Sequence, residues 1–315
     1  MEYRHTPVLL AEVLQHLSPH SGSIIVDCTL GGAGHARRIQ ELIEPDGLLV
    51  GIDRDPEALD AASDVLRLGR HVILSQGDFG ELDRILTDAG LAYADGFLFD
   101  LGVSSYQLDA ADRGFSYRMD APLDMRMDPS SGGPSAADVV NTYDEADIAR
   151  VIRVYGEDRW ASRIAAFIVA ARSRRPIRTT GELVEIIKEA VPASARRSGG
   201  HPARRTFQAL RIEVNRELRA LESGLEAATR WLAPGGRIVV ISYHSLEDRI
   251  TKSFFREAAQ GCTCPPELPV CTCGKEPVLR VLTPSPVTPT SEEIERNPRA
   301  RSARLRAAQK LPADG

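Results

Sequence analysis

Four short apolar runs in the first hundred residues, each ending at a carboxylate or a glycine, limit this chain's fold more than any other feature of it. Ser23-Ile24-Ile25-Val26-Asp27-Cys28 leads into Gly31-Gly32-Ala33-Gly34-His35, after which Ala36, Ile39, Leu42 and Ile43 recur at helix spacing. Leu48-Leu49-Val50-Gly51-Ile52-Asp53 comes next, followed by Asp55-Pro56-Glu57, an N-cap residue with proline at the first helical position. His71-Val72-Ile73-Leu74 runs into Gly77-Asp78-Phe79, and Gly96-Phe97-Leu98-Phe99 into Asp100-Leu101-Gly102. Near-continuous apolar strands separated by helices predict a parallel sheet covered on both faces, an α/β fold.

The rhythm then stops. From about Gln107 to about Arg205 the pattern predicts helices, at 144–152, 160–172 and 180–190, and no strand. It resumes after a long helix expected over 206–232, with a turn at Pro234-Gly235-Gly236 and a fifth strand over 237–242. Late strands are expected at 278–282 and around 302–307, with loops at 262–275 and 283–291. The expected organisation is one domain formed by 1–106 and 206–315, interrupted by a helical insertion domain, 107–205, for substrate recognition. The 315 residues are enough for such a pair.

Hydrophobic residues make up 43% and charged residues 26%, ordinary globular usage that argues against disorder. The first residues, Met1-Glu2-Tyr3-Arg4-His5-Thr6-Pro7, lack the apolar core of a signal peptide. No apolar run approaches the roughly 20 residues that cross a bilayer, so a soluble, cytoplasmic protein with no membrane partner is expected. The net charge of −5 hides an asymmetry: residues 1–150 carry 11 Lys/Arg against 26 Asp/Glu, and residues 151–315 carry 28 against 18. A basic half is what a polyanion-binding face needs, while the overall balance argues against indiscriminate coating of nucleic acid.

In an open parallel sheet, ligands bind beyond the carboxyl ends of the strands, where the strand order reverses. One glycine loop or one strand-terminal Asp is weak evidence, being as often a tight turn or a helix cap. Four such loops on one rim are stronger. Gly32-Ala33-Gly34-His35-Ala36-Arg37 lacks the third glycine of the dinucleotide fingerprint. Asp53 stands where a carboxylate accepts from both ribose hydroxyls. Asp78 is placed to accept from an adenine amino group with Phe79 stacked on the ring, and Asp100 to face an ammonium. No Tyr and Lys are placed for hydride transfer, and the balance favours S-adenosylmethionine over a nicotinamide cofactor.

The chain resembles the bacterial 16S ribosomal RNA cytosine-N4 methyltransferase family over nearly its whole length. The matching blocks are His5-Thr6-Pro7-Val8-Leu9-Leu10, Asp53-Arg54-Asp55-Pro56, Asp100-Leu101-Gly102-Val103-Ser104-Ser105 and Arg113-Gly114-Phe115-Ser116. Further on come Pro122-Leu123-Asp124-Met125-Arg126-Met127-Asp128, Tyr155-Gly156-Glu157, His201-Pro202-Ala203 and Arg205-Thr206-Phe207-Gln208-Ala209-Leu210-Arg211-Ile212. Ser245-Leu246-Glu247-Asp248-Arg249 and Asn297-Pro298-Arg299-Ala300-Arg301-Ser302 complete the set. The resemblance implies a Rossmann-like class I S-adenosylmethionine methyltransferase with a helical insertion, acting on the exocyclic N4 of one cytidine in the decoding region of 16S rRNA. It implies cofactor contacts at Ala33, Gly34, His35, Asp53, Phe79, Asp100 and Gln107. The small ribosomal subunit would be the partner, and a homodimer is left open. Two departures stand out. The glycine turn reads Gly32-Ala33-Gly34-His35, and Asp100-Leu101-Gly102-Val103 stands where many amino-methyltransferases have Asp/Asn-Pro-Pro-aromatic.

An exocyclic cytosine amine is a poor nucleophile, so the enzyme must hold it in line with the methyl group, near ~3 Å, and accept its N–H as charge develops. Asp100 is the candidate catalytic group; the alternative, that it only holds the methionine ammonium, stays open. His35 reads as a loop-ordering group, and His244 as a pocket residue or a cap. Arg196, Arg197, Arg204, Arg205, Arg211 and the 299–306 group are candidate phosphate contacts, each also readable as a solvated charge. Cys262, Cys264, Cys271 and Cys273 supply four thiols within twelve residues. Zinc prefers such a set, but paired C-x-C spacing is less usual than C-x-x-C, so no metal is assigned; the resemblance implies a segment that varies between family members, so catalysis should not depend on it. Competing functions are methylation of DNA or protein amines, an RNA-binding assembly factor regulated by the cofactor, and a nicotinamide oxidoreductase.

Overall fold

The computed structural model describes residues 7–69, 71–103, 111–196, 200–262, 264 and 272–312. The chain forms two compact units, one from Met1–Gly102 with Leu218–Gly315 and one from Val103–Glu217. Each is described by itself.

The first unit is built on a seven-stranded sheet. Its strands are β1 (Ile24–Asp27), β2 (Leu48–Asp53), β3 (Val72–Gln76), β4 (Ala94–Asp100), β5 (Leu232–Ser242), β6 (Leu279–Val281) and β7 (Arg304–Lys310), in the order β3-β2-β1-β4-β5-β7-β6. The first five pair in parallel, and β7 lies antiparallel to both β5 and β6. The chain builds outward from β1 to β3, then returns to place β4 on the other flank of β1, so the strand order reverses between β1 and β4. This is the Rossmann-like α/β class expected from the sequence.

Alternation along each strand divides the core in two, because successive side chains point to opposite faces. Ile25, Leu49, Leu98, Val239 and Ile241 pack with Val13 and Leu17 of α1 (Leu10–Leu17), with Ile39 and Ile43 of α2 (Gly34–Ile43), and with Ala62 of α3 (Pro56–Val65). Their neighbours Val26, Val50, Phe97, Phe99 and Val240 pack on the other face, with Leu82, Ile85 and Leu86 of α4 (Leu82–Asp88). Leu221 and Leu225 of α11 (Glu217–Trp231) and Phe255 of α12 (Ser245–Ala258) share that face. Asp55 caps α3 by accepting from the Glu57 amide, with Pro56 at the first position, as its sequence predicts.

The second unit is helical: α5 (Ala136–Thr142), α6 (Glu145–Gly156), α7 (Ala161–Arg172), α8 (Thr180–Ala190), α9 (Ala193–Arg196) and α10 (Arg204–Asn215). Its core gathers Met125, Ile148, Ile152, Ile164, Ile168, Leu183, Ile187, Phe207 and Leu210. Helices α6, α7 and α8 lie where hydrophobic spacing places them. The short α5 has too few turns for periodicity to show it, and its signature is instead the reciprocal cap between Ser135 and Asp138.

Two sequence expectations are corrected. The long helix over 206–232 is two helices, α10 and α11, broken at Arg216, whose φ of 51° is left-handed. Helix α10 therefore belongs to the helical unit, which runs from Val103 to Glu217 rather than over 107–205. The turn at Pro234-Gly235-Gly236 is an irregularity inside β5: Ala94 pairs with Leu232 and Gly96 with Arg237, so the intervening residues are bulged out of the ladder. A helix run cannot reveal a single left-handed residue with a side chain, and Pro-Gly-Gly reads alike as turn or bulge.

Candidate active site

The carboxyl ends of β1, β2 and β4 each finish in an aspartate: Asp27, Asp53 and Asp100. The backbone beyond β1 is tied to both neighbours. The Cys28 amide donates to the Leu98 carbonyl at 2.8 Å, the Leu30 amide to the Ile52 carbonyl at 2.9 Å, and the Asp100 amide to Thr29 Oγ1 at 2.6 Å.

Asp53 holds two loops. Its Oδ2 accepts from the Gly31 amide at 2.8 Å and its Oδ1 from the Asp55 amide at 2.9 Å. Burial pushes its carboxyl up, against those two amides, which pull it down. Asp27, 2% exposed, is pushed up to about 7 by burial, opposed by the Thr29 amide and reinforced by the negative charges of Asp100 and Asp53. Asp100 accepts the Tyr243 hydroxyl on Oδ1 at 2.7 Å and has His35 Nδ1 at 3.6 Å from Oδ2. Burial, then the charge of Asp100, lifts the Tyr243 hydroxyl well above its ordinary range, so it stays a donor.

The glycine turn is set by close packing. Ala33 caps α2 with a left-handed φ of 56° and is fully buried, and a Cβ on Gly34 would lie 2.7 Å from Pro7 Cγ. The His35 ring is buried, its Nε2 donating to the Val8 carbonyl at 2.9 Å, which is the loop-ordering part expected of it. Backbone groups are therefore what Ala33 and Gly34 have to offer a ligand.

On the next loop, Asp78 Oδ1 accepts the Gly80 amide at 2.7 Å and its Oδ2 pairs with Arg54. Phe79 is half-buried, edge-on to Phe99 at 5.6 Å, with the Arg54 guanidinium 5.7 Å from its ring centre. Both Asp78 oxygens thus serve the protein itself. His244 caps α12 reciprocally with Glu247, the capping part of its two readings. Gln107 lies outside the described residues, as do Ser104 and Ser105.

The departure from a Pro-Pro motif after β4 is built into the backbone. The Leu101 amide donates to the Ile241 carbonyl at 3.0 Å, a bond proline has no N–H to make. Gly102 sits at φ 102°, far from the value near −65° that proline requires.

Of the candidate phosphate contacts, Arg196, Arg204, Arg205, Arg299, Arg301 and Arg304 are exposed. Arg304 is also paired, its Nη1 donating to Asp248 Oδ2 at 3.0 Å, and two more are structural instead. Arg211 is paired through two nitrogens with Glu217, at 2.9 and 2.8 Å, and Arg306, 6% exposed, is paired with Asp248 at 2.6 and 3.3 Å. Arg197 lies outside the described residues. Sequence reasoning singled out neither Thr29, Tyr243 nor Asp27 as a site residue. Asp27 carried a signal, since it ends β1 as Asp53 ends β2 and Asp100 ends β4; Thr29 and Tyr243 carried none.

No helix among the described residues is long and apolar enough to cross a membrane. The family model of the MraW methylase family matches residues 2–311. The chain is 57% identical to the ribosomal RNA small subunit methyltransferase H of Symbiobacterium thermophilum over 314 residues, covering 99% of this chain and 98% of that one. It is 58% identical over 312 residues to the protein of the same name from Geobacter sulfurreducens, covering 99% and 100%. For the one from Heliobacterium modesticaldum the identity is 53% over 313 residues, covering 99% and 100%. With aspartates ending three neighbouring strands beside the strand reversal and a match over almost its full length, the chain belongs to the MraW methylase family.

Proposed function

We propose that this protein transfers a methyl group from S-adenosylmethionine to the exocyclic N4 of a cytidine in the decoding region of 16S rRNA. The observation that carries the donor is the row of carboxylates, Asp27, Asp53 and Asp100, on three neighbouring strand ends. Their mutual repulsion disfavours a pyrophosphate, as in a nicotinamide dinucleotide, and favours a ligand bearing a sulfonium and an ammonium. When bound, that cofactor supplies an electrophilic methyl group.

The residues of the chain do the rest. Asp53, already fixed by two amides, offers its remaining lone pairs to ribose hydroxyls. Ala33 and Gly34 present backbone groups, and Phe79 an apolar ring edge. Asp100, oriented by Tyr243 and Thr29, holds the ammonium and lies on the rim where a target N–H would be accepted. The exposed Arg196, Arg204, Arg205, Arg299, Arg301 and Arg304 supply phosphate contacts for the rRNA. The relatives' names support the small-subunit rRNA as substrate.

The test is methyl transfer from labelled S-adenosylmethionine to small ribosomal subunits lacking this modification, with mass spectrometry of the product nucleoside. N4-methylcytidine is expected. A different methylated nucleoside would overturn the specificity. Cofactor binding without transfer to whole subunits, naked 16S RNA or assembly intermediates would favour the non-catalytic docking factor.

A further inference from the structure

The segment between α12 and β6 carries three described cysteines, Cys262, Cys264 and Cys273. It leaves α12 at Ala258 and is tied back there by the Val278 amide, which donates to the Ala258 carbonyl at 2.8 Å. Between those points its described residues form neither helix nor strand, and none of them is buried. A loop that keeps its shape is packed by its own side chains.

What converges inside this one is sulfur. The Sγ atoms of Cys262, Cys264 and Cys273 all lie within 4.8 Å of one another. Cys262 and Cys273 are exposed and Cys264 is half-buried, unusual for a residue type that ranks among the most buried when it only packs. The Cys262 and Cys273 sulfurs are 3.7 Å apart, well beyond the roughly 2.05 Å of a disulfide bond. Four ligands at about 2.3 Å around zinc form a tetrahedron whose sulfur–sulfur edges are about 3.8 Å. The observed separation is that edge.

Cys264 Sγ has Thr272 Oγ1 at 3.6 Å. Directly after Cys273, Gly274 has a left-handed φ of 59°. Cys271, the remaining cysteine of the cluster, lies outside the described residues.

We infer that Cys262, Cys264 and Cys273 bind one zinc ion as thiolates. The site is independent of the strand-end aspartates, so it neither needs nor supports the methyl-transfer reading. Binding releases the thiol protons to solvent and changes no oxidation state.

The test uses the full chain, produced with zinc in the medium and purified anaerobically without chelator. Elemental analysis is expected to give about one zinc ion per chain. Titration of the cysteines with a mercurial should release it to a colorimetric zinc dye. The double variant Cys262→Ser/Cys273→Ser should lose the metal while keeping its circular dichroism, because neither residue belongs to an apolar cluster. Cobalt exchanged into the unmodified protein should show thiolate-to-metal charge transfer and the intense visible bands of tetrahedral sulfur ligation, a readout independent of any variant's folding. Wild-type protein without zinc after dialysis against it, or cobalt spectra lacking the thiolate band, would overturn the inference. So would full zinc content in the double variant.

Discussion

The Tyr243 hydroxyl donates to Asp100 Oδ1 at 2.7 Å, so the residue after β5 fixes the carboxylate that ends β4. The parallel pairing of those strands, with Asp100 opposite Ile241, makes this contact a matter of register. Removing the donor in Tyr243→Phe should weaken S-adenosylmethionine binding by about 3- to 10-fold, the net worth of one ordinary hydrogen bond, since the carboxylate itself remains. Asp100→Ala should weaken it further, by about 100-fold or more, if the carboxylate holds the ammonium. Calorimetric binding checks both. An Asp100→Ala protein that binds the cofactor normally yet transfers no methyl group would instead give Asp100 the catalytic part.

Asp27 predicts a pH dependence of stability. Its folded carboxyl titrates at about 7 against an ordinary 3.8, so between those values the folded state holds a proton that the unfolded state has lost. Stability from this group is complete below about pH 4 and falls as pH rises toward 7. Relative to wild type, Asp27→Asn should therefore gain stability with rising pH, on the order of a few kcal/mol by pH 8. Urea midpoints of the apoprotein between pH 4 and 8 measure it; parallel curves for the two proteins would contradict the assignment.

Leu101→Pro tests the loop after β4. It removes the amide that bonds the Ile241 carbonyl and should cost about 3 kcal/mol or more, seen as a lower denaturation midpoint. Grafting the Asp-Pro-Pro form of other amino-methyltransferases onto this backbone should fail for that reason.

Asp248→Ala should destabilise the first unit by about 3–5 kcal/mol, because it strands Arg306, 6% exposed, without its carboxylate. In wild type, burial pushes the Asp248 carboxyl up, but hydrogen bonds from Arg306 and Arg304 outweigh it and hold the group below its ordinary range. The stability it contributes is present above the ordinary carboxylate pKa and is lost as pH falls through the lowered one. Thermal melts of both proteins should therefore converge in acid.

The sheet was legible because each strand announces itself twice, by an apolar run and by the polar residue that ends it. That Asp53 and Asp100 end strands, and that a turn stands at Ala33 and Gly34, was readable from the apolar runs and glycines beside them. What escaped detection depends on contacts between residues far apart in the chain. Tyr243 meets Asp100 across 143 residues, and Asn215 donates to the Met125 carbonyl across 90. No local pattern marks either. Arg211 and Arg306 were misread for the same reason: charge in a sequence does not say whether its partner is phosphate or a buried carboxylate. The break at Arg216 escaped because a left-handed residue with a side chain looks like any other in a helical run.

Strand β7 lies between β5 and β6 although it is the last strand along the chain, and β4 and β5 are separated in sequence by the whole helical unit. During synthesis, then, β1 to β4 emerge with the β4 flank open, and the helical unit is completed while that flank still lacks its neighbour. β5 then arrives with one edge exposed until Arg304–Lys310 is made. The sheet therefore gains its last pairings, β5 with β7 and β7 with β6, only once Arg304–Lys310 has been made.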